Sequence, residues 1–352
     1  MILATHRHMI PNHQDYVIQL SFNRFFRRVT YYNLSAIYRT GDTLKKVSIM
    51  VPTFNEEENV EPIAKAIVEQ MEALKSYDYE LLFIDNDSHD STREKIRALC
   101  SSNPKIKAIF NAKNFGQFNS PYYGILQATG DCVIAMCADF QDPVEMIPKY
   151  LAEWENGYKI VMGQKTSSKE NKIKYTLRGF YYRFMEKHSD YGFLRQVTGS
   201  GLYDREFVEV MRKLDDPKPF LRGVVTEMGY SIKTIPFEQP KRRAGKSSNS
   251  MYKYYDAAVQ SFTAYTKTGI RLIVLFGLLF SLASIATLIG AVVYQIIMWD
   301  SWSIYSILLQ LFIFMGVSFN MLFIGIVGEY VLNINSYMKR RPMVVEAERI
   351  NF

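Results

Sequence analysis

Two long stretches without a charged residue dominate the carboxyl-terminal part of this sequence. They are Leu272–Met298 and Ser301–Gly328, and each exceeds the ~20 apolar residues that cross a bilayer as a helix. A buried helix of a soluble protein rarely reaches this length without one charge. The pattern therefore predicts two transmembrane helices that form a hairpin, with its turn at Asp300.

Basic residues flank the two stretches on their outer sides. Lys267 and Arg271 precede the first, and Lys339, Arg340 and Arg341 follow the second. The positive-inside rule places both flanks, and everything before the first stretch, in the cytoplasm. We therefore expect a multi-pass protein of the plasma (inner) membrane whose soluble part is cytoplasmic.

Charge and motif content exclude several classes of protein. The net charge of +7 indicates an anionic partner, which by charge alone is a nucleic acid, a lipid headgroup or a phosphate. Three cysteines without CxxC spacing cannot form a disulfide framework.

Motifs of two common nucleotide-binding folds are absent from the sequence. Neither a glycine-rich dinucleotide fingerprint nor a P-loop occurs. Residues 1–45 also have no apolar segment typical of a secretory signal.

From residue 47 onward, short apolar runs alternate with helical stretches. Five runs are predicted strands: Val47–Val51, Glu80–Ile84, Ile106–Phe110, Cys132–Met136 and Ile160–Met162. Helices are predicted between them, including Val60–Lys75 and Ser91–Cys100. This alternation predicts an α/β domain with a mostly parallel sheet and helices on both faces. Ligands of such domains bind outside the carboxyl ends of the strands.

Polar segments follow three of the predicted strands, namely Val51–Asn59, Phe83–Thr92 and Met136–Pro143. The first two are also explained as helix caps and turns. The third is harder to explain structurally, because two aspartates and a glutamine directly after a buried strand are oxygen ligands that suit Mg²⁺ or Mn²⁺ on phosphates. Such a cation neutralises charge on a departing nucleoside diphosphate.

In this order, the segments VPTFNEEEN, FIDNDSHDST, NAKNFGQ and ADFQDP resemble those of the inverting family 2 glycosyltransferases of GT-A fold. Within that family the sequence resembles the dolichol-phosphate-mannose-synthase-like branch, which includes bacterial polyprenyl-phosphate glycosyltransferases with a membrane hairpin. The resemblance covers about residues 46–340. It continues through TGSGLYDR at 198–205, FLRG at 220–223 and the R-x-x-G-x-S pattern at 242–247.

The resemblance implies roles for individual residues. The nucleotide-sugar would be held by Pro52, Phe54, Glu56, Asp85, Asp87 and Asn114. Asp139 and Gln141 would hold Mg²⁺ or Mn²⁺ together with the diphosphate, and Asp142 would lie near the sugar. Two positions depart from the family: Cys137 stands where an aspartate is usual, which puts metal coordination from there in doubt, and Phe54 stands where a tyrosine is usual.

The implied acceptor is itself a nucleophile. A phosphate monoester is largely dianionic near pH 7, so no base is needed and the site must supply cations. The candidates for the acceptor phosphate are Arg178, Arg183, Arg205, Arg222, Arg242, Lys246 and Ser247. By family position, Arg183 and Arg242 would join Asp139 and Asp142 as catalytic residues. The open alternative is that these arginines face anionic lipid.

The predicted organisation has five parts: an extension of unknown role at 1–45, a GT-A catalytic domain at 46–240, a basic loop and juxtamembrane amphipathic helix at 241–269, a transmembrane hairpin at 270–332 and a cytoplasmic tail at 333–352. The expected activity is metal-dependent, inverting transfer from a nucleotide-sugar, with UDP favoured, to a polyprenyl phosphate. The resemblance also implies contact with the lipid bilayer and a homo-oligomer, since relatives with this hairpin can form tetramers, and no nucleic acid is expected as a partner.

Two alternatives remain at this point. A family 2 transferase could act on a glycan or lipid hydroxyl, for which Asp142 would have to be the base. In a non-catalytic membrane partner protein, Cys137 would mark a lost active site. The presence of Asp85, Asp139, Gln141 and Asp142 together favours a transferase.

Overall fold

The computed structural model describes residues 44–167, 179, 183–189, 192, 194, 196–217, 219–244, 258–259, 262, 266–297, 303–339 and 341–352. All but the last two residues of the predicted amino-terminal extension therefore lie outside the described residues. The same holds for Asp300 and for most of the predicted juxtamembrane helix.

One mixed sheet forms the centre of the described domain. Its strands are β1 (Lys45–Thr53), β2 (Tyr77–Asp85), β3 (Ile106–Asn111), β4 (Cys132–Ala135), β5 (Ile160–Ser167), β6 (Val197–Asp204), β7 (Ile232–Glu238) and β8 (Glu346–Ile350). Their order is β7-β5-β6-β4-β1-β2-β3-β8. Strands β4, β1, β2 and β3 are parallel, whereas β6 and β8 run antiparallel to their neighbours. All five predicted strands are confirmed.

Helices cover both faces of the sheet, as predicted. They are α1 (Val60–Ala73), α2 (Thr92–Ser102), α3 (Gly116–Gln127), α4 (Met146–Glu155), α5 (Arg205–Leu214) and α6 (Leu221–Glu227). Because side chains of a strand alternate between faces, Ile49 of β1 packs with α1, α2 and α4, and its neighbour Met50 packs with α3, α5 and α6. Both faces are buried, so the central strands are continuous apolar runs in the sequence.

Strand β6 was not among the predicted strands. It contains Gly199 and Gly201, both with positive φ, and glycine weakens the sequence signal of a strand. At Gly201 the reason for glycine is space, because a Cβ atom there would lie 2.3 Å from the carbonyl oxygen of Val161 on β5. The glycine therefore permits the close approach of β5 to β6.

Two long helices follow the sheet, α7 (Thr268–Ile297) and α8 (Ser303–Met338). Their segments Thr268–Tyr294 and Phe312–Leu332 are long and apolar enough to cross a membrane, and the most apolar 18-residue stretch of each contains no buried residue. The helices contact each other where Phe280 stacks on Phe312, with ring centroids 4.9 Å apart. The two predicted apolar helices are thus present, and most of their described apolar side chains are exposed.

After α8 the chain returns to the sheet. Strand β8 pairs antiparallel with β3, with Glu346 opposite Asn111, and Arg97 of α2 forms an ion pair of 2.7 Å with Glu348. Part of the predicted tail is therefore an edge strand, whose alternating charges gave no apolar run to recognise. The residues before and after the two long helices belong to the same sheet.

Candidate active site

The carboxyl ends of β4, β1 and β2 lie side by side, because these strands are parallel neighbours. The three polar segments singled out in the sequence follow these ends and therefore meet at one edge of the sheet. We call it the carboxyl edge. Half-buried Pro52 and Phe54 mark the end of β1 there.

The segments after β1 and β2 are held together by hydrogen bonds. The backbone N–H of Asn55 donates to Ser88 Oγ at 2.8 Å, and the N–H of Glu56 donates to Thr92 Oγ1 at 2.9 Å. Asn55 has a φ of 54°, a left-handed conformation that asparagine tolerates. These contacts hold the backbone that precedes α1 and place Glu56 at the carboxyl edge.

Asp85 is fully buried at the end of β2. Its Oδ1 accepts from Arg93 Nε at 2.6 Å and from the Ser88 N–H at 3.1 Å. Arg93 also forms a 3.4 Å ion pair with Asp87. Asp85 and Asp87 thus lie at the predicted place, but the Asp85 carboxylate already accepts bonds from within the protein, so it shapes the turn.

Asn86 links this turn to the segment after β3. Its Nδ2 donates to Asn114 Oδ1 at 3.0 Å, and its Oδ1 accepts from the Phe115 N–H at 2.9 Å. Asn114, predicted for the nucleotide, is exposed at the carboxyl edge. The sequence did not predict this positioning role of Asn86, although Asn86 lies in the FIDNDSHDST segment.

Arg242, Asp139 and Glu56 form a charged cluster at the end of β4. Arg242 Nη2 lies 2.8 Å from Asp139 Oδ2, and Arg242 Nη1 lies 3.7 Å from Glu56 Oε1. The Asp139 side chain is only 4% exposed, and its Oδ1 accepts from the Gln141 N–H at 3.1 Å. Burial raises the pKa of the Glu56 carboxyl, although a hydrogen bond from Asn59 and the charge of Arg242 oppose the rise.

Asp142 lies beside this cluster and is also buried. Its Oδ2 accepts from the Cys137 N–H at 3.0 Å and from the hydroxyl of Ser200 on β6. Cys137, at the position where the resemblance predicts an aspartate, is exposed. Ser200 was missed as a site residue, although the quoted TGSGLYDR segment contains it.

The predicted phosphate-binding cations are not all at this edge. Burial raises the pKa of the Tyr203 hydroxyl and the charge of nearby Arg222 opposes that rise. Since this hydroxyl donates to the carbonyl of Gly199, near the start of β6, Arg222 lies close to the carboxyl edge. Arg183 is exposed, and its Nε donates to the carbonyl of Gly179 at 3.3 Å. Arg178, Lys246 and Ser247 lie outside the described residues.

Arg205 differs from the prediction. Because β6 is antiparallel to β4, with Asp204 opposite Cys132, Arg205 lies at the amino end of the parallel strands. Its guanidinium donates to the carbonyl oxygens of Ala128 and Gly130 there. It is therefore separated from the carboxyl edge by the length of β4, and the acceptor-binding role predicted for it is withdrawn.

The residues at the carboxyl edge fit a divalent cation in part. Asp139 and Gln141 offer hard oxygen donors, which suit Mg²⁺ or Mn²⁺, and Arg242 balances only some of the negative charge of Asp139 and Glu56. Over the described part of the chain, no three histidine, cysteine, aspartate or glutamate side chains converge as a metal site. A cation held here would need further oxygen ligands from a bound phosphate or from water.

The carboxyl edge lies near the base of the two long helices. The Ala112 N–H, just beyond β3, donates to the carbonyl of Val345 at 2.9 Å. Only residues 339–344 separate that contact from the end of α8. The polar edge of the sheet and the long apolar helices are therefore at the same end of the domain.

Comparison with known proteins gives consistent matches. The family model for glycosyl transferase family 2 matches residues 48–211. A prophage bactoprenol glucosyl transferase homolog of Escherichia coli K12 is 30% identical over 303 residues, which cover 85% of this chain and 98% of that protein. The putative glycosyltransferase CsbB of Bacillus subtilis is 27% identical, covering 84% of this chain and 89% of that protein.

A solved structure is also similar in part. It is glucosyl-3-phosphoglycerate synthase from Mycobacterium tuberculosis in complex with Mn²⁺, UDP and glucosyl-3-phosphoglycerate. It is 16% identical, with a TM-score of 0.40, over 64% of this chain and 84% of that chain.

Proposed function

This chain belongs to glycosyl transferase family 2 and is a glycosyltransferase, and on that premise we propose that it transfers a sugar from a nucleotide-sugar to a polyprenyl phosphate at a membrane surface. The bactoprenol glucosyl transferases among its relatives support this acceptor class.

One structural observation carries the proposal. The carboxyl edge, with Asp139, Asp142 and Arg242, lies at the same end of the domain as the base of α7 and α8. A lipid-linked acceptor keeps its chain in the bilayer and presents its phosphate at the surface. If α7 and α8 cross the membrane, the carboxyl edge faces that surface, so donor and lipid phosphate can meet without extraction of the lipid.

The hydrogen bonds of Asp142 favour a phosphate acceptor over a hydroxyl acceptor. A hydroxyl needs a general base within reach of its proton. Asp142 is buried and accepts from Cys137 and Ser200, so its Oδ2 is engaged. A phosphate dianion needs no such base, and this arrangement then serves to hold the segment after β4 in place.

In the proposed reaction, an oxygen of the lipid phosphate attacks the anomeric carbon of the donor sugar. The bond from that carbon to the diphosphate breaks, and the nucleoside diphosphate leaves with the electron pair. Attack opposite the leaving group inverts the configuration. The chain contributes position and charge: Arg242 and Arg222 offer guanidinium forks for phosphate oxygens, and the turns fixed by Asn86 and Ser88 hold the nucleotide, which we take to be UDP.

Asp139 and Gln141 would hold the divalent cation, Mg²⁺ or Mn²⁺, which would neutralise charge on the departing diphosphate. The thiol of Cys137 suits a hard cation poorly. In the structure, the positive charge beside the Asp139 carboxylate comes from the guanidinium of Arg242, which forms an ion pair with it. Donor and cation would therefore have to share or replace this ion pair when they bind.

We place the enzyme in the plasma membrane, with the sheet on the cytoplasmic side and α7 and α8 as a hairpin. The basic residues outside the helices support that orientation. The domain boundaries and the tetramer stay predictions, as does the contribution of Arg183 to the acceptor site.

The direct test is mass spectrometry of a polyprenyl phosphate after incubation with the purified chain and a panel of nucleotide-sugars. We expect the lipid to gain the mass of one sugar with one donor of the panel. Polyprenol without the phosphate is the matched control acceptor and should stay unmodified. A product on the free alcohol, or no product on the phosphate with any donor, would reject the proposed acceptor.

A further inference from the structure

An open cavity of about 310 Å³ lies where the chain leaves α8 and approaches the end of β3. It is lined by Ala112, Lys113, Phe115, Arg341, Pro342 and Val345. We propose that this cavity binds the headgroup of an anionic phospholipid, with the lipid phosphate between Lys113 and Arg341. The proposal rests on the membrane insertion proposed above and concerns a ligand other than the two substrates.

The charges of the lining select an anion. Its two charged side chains are both cations, and neither Lys113 nor Arg341 forms an ion pair with a described residue. Lys113 Nζ lies 5.2 Å from the ring centroid of Phe115, which leaves its donors available. The nearest carboxylate along β8, Glu346, is engaged by Tyr123 at 2.8 Å and by Arg349.

The cavity lies at the depth of lipid phosphates. The apolar segment of α8 ends at Leu332 and the helix continues to Met338, which adds about 9 Å at 1.5 Å per residue. Each headgroup layer is roughly 5–8 Å thick outside the hydrocarbon core. Arg341, three residues beyond the helix, therefore sits beside the headgroups, and the apolar walls of Phe115, Pro342 and Val345 suit the glycerol and first methylenes.

A second cavity, on the other side of Arg341 and Pro342, shows why the lipid phosphate is assigned to the first cavity. It has a volume of about 290 Å³, and its lining includes Asp215, Asp216 and Tyr337. Two carboxylates there disfavour an anion by charge repulsion. Arg341 borders both cavities, so the phosphate belongs on the side of Lys113, where none of the described lining residues is acidic.

The test uses the full chain in neutral detergent micelles, titrated with short-chain phosphatidylglycerol or phosphatidylcholine and followed by native mass spectrometry. We expect one phosphatidylglycerol to bind in preference to phosphatidylcholine. Lys113→Gln and Arg341→Gln should each weaken that binding about fivefold, as expected for one basic residue near a lipid surface. Lys75→Gln is the matched control, because this exposed lysine precedes β2 at the opposite end of the domain.

Several results would overturn the proposal. Equal binding of both lipids, or unchanged phosphatidylglycerol binding by the double variant, would show that the two cations do not form a headgroup site. Displacement by inorganic phosphate at equal concentration would indicate a free-phosphate site. Displacement by polyprenyl phosphate would make the cavity part of the acceptor site.

Sugar transfer measured on the same preparations keeps the two proposals separate. A chain that binds phosphatidylglycerol selectively but transfers no sugar would contradict the proposed function and support the headgroup site. A chain that transfers sugar normally but shows no lipid preference would support the proposed function and contradict the headgroup site.

Discussion

Arg242 donates to Asp139 across 2.8 Å and thereby joins the segment after β7 to the segment after β4. From the sequence, these residues are predicted to bind different ligands: Arg242 the acceptor phosphate, and Asp139 the cation and diphosphate. Their contact means that the two binding functions share one ion pair. A ligand that takes either residue out of this ion pair also leaves the other residue without its partner in the pair.

Asp139→Ala is expected to abolish transfer, with a loss of about 10²-fold or more, as for the removal of a charge-stabilising group. Product formation under donor saturation measures this, and an unchanged apparent Tm would show that the fold is retained. Cys137→Ala is the matched control two residues away and should be mild, because a thiol is a poor ligand for a hard cation. Full activity of Asp139→Ala, or of the wild type in chelator, would contradict metal dependence.

Arg242→Ala should raise the KM for polyprenyl phosphate about tenfold, the effect of losing roughly 1.4 kcal/mol of phosphate binding. Because Arg242 also pairs with Asp139, donor binding should change as well. Lysine should rescue only in part, because it keeps the charge but loses the fork. Arg183→Ala should act in the same direction. These measurements need detergent-solubilised protein and a short-chain acceptor, so that bulk anionic lipid contributes nothing.

Arg205→Ala provides the matched control for the arginine series. Its guanidinium serves the carbonyls of Ala128 and Gly130 at the far end of β4, so its loss should lower the apparent Tm and leave the acceptor KM unchanged. If Arg205→Ala raised the acceptor KM as much as Arg242→Ala, the assignment of the acceptor site to the carboxyl edge would be wrong.

Glu80 should make the free energy of unfolding of the domain depend on pH in the acidic range. Burial favours its neutral form, but hydrogen bonds from Lys46, Ser48 and Thr129 outweigh burial and lower the pKa of Glu80 below its ordinary value of 4.5. Because the folded pKa is lowered, its stabilisation is present above pH 4.5 and is lost as the pH falls below that value.

The measurement is the apparent Tm as a function of pH for wild type and Glu80→Gln. The variant should lose about 3 kcal/mol at neutral pH, because Lys46 and Lys107 lose their buried partner. It should also show a weaker acid dependence than the wild type. Exposed Glu72→Gln on α1 should change neither quantity noticeably, and equal slopes in wild type and Glu80→Gln would remove Glu80 as the cause.

The topology of the hairpin can be tested with fused reporters. Residues on both sides of α7 and α8 belong to one sheet, since β8 pairs with β3. A reporter after Phe352 should therefore be active only in the cytoplasm, and one inserted at Asp300 only outside it. A carboxyl-terminal reporter active only outside the cytoplasm would refute the cytoplasmic placement of both ends of the chain.

Much of the sheet was predictable because burial on both faces leaves a simple signal. The strand around Met50 is apolar on successive residues, and polar residues begin where it ends, so strand and carboxyl edge could both be read from the sequence. Strand β6 could not, because Gly201 is set by the approach of Val161, a residue far away in the sequence. Strand β8 could not, because β3 is its one neighbour among the described strands and its charges alternate.

The sequence predicts which residues lie at the candidate site better than it predicts which side chains contact each other there. The acidic residues after β1, β2 and β4 meet as expected from parallel strands. The contact of Arg242 with Asp139 depends on a loop that no local pattern describes, and the misplacement of Arg205 came from not knowing the direction of β6. The engagement of Asp142 by Ser200 depends on that same direction.

The position of β8 also fixes the order in which the molecule can be completed during synthesis. Residues 346–350 leave the ribosome after both long helices. Until then β3 is an outer strand with unpaired backbone groups, a template for pairing with other chains. A nascent chain halted between Met338 and Glu346 would therefore expose β3 as an open edge strand. If α7 and α8 enter the bilayer as they are synthesised, delivery of the hairpin precedes closure of the sheet.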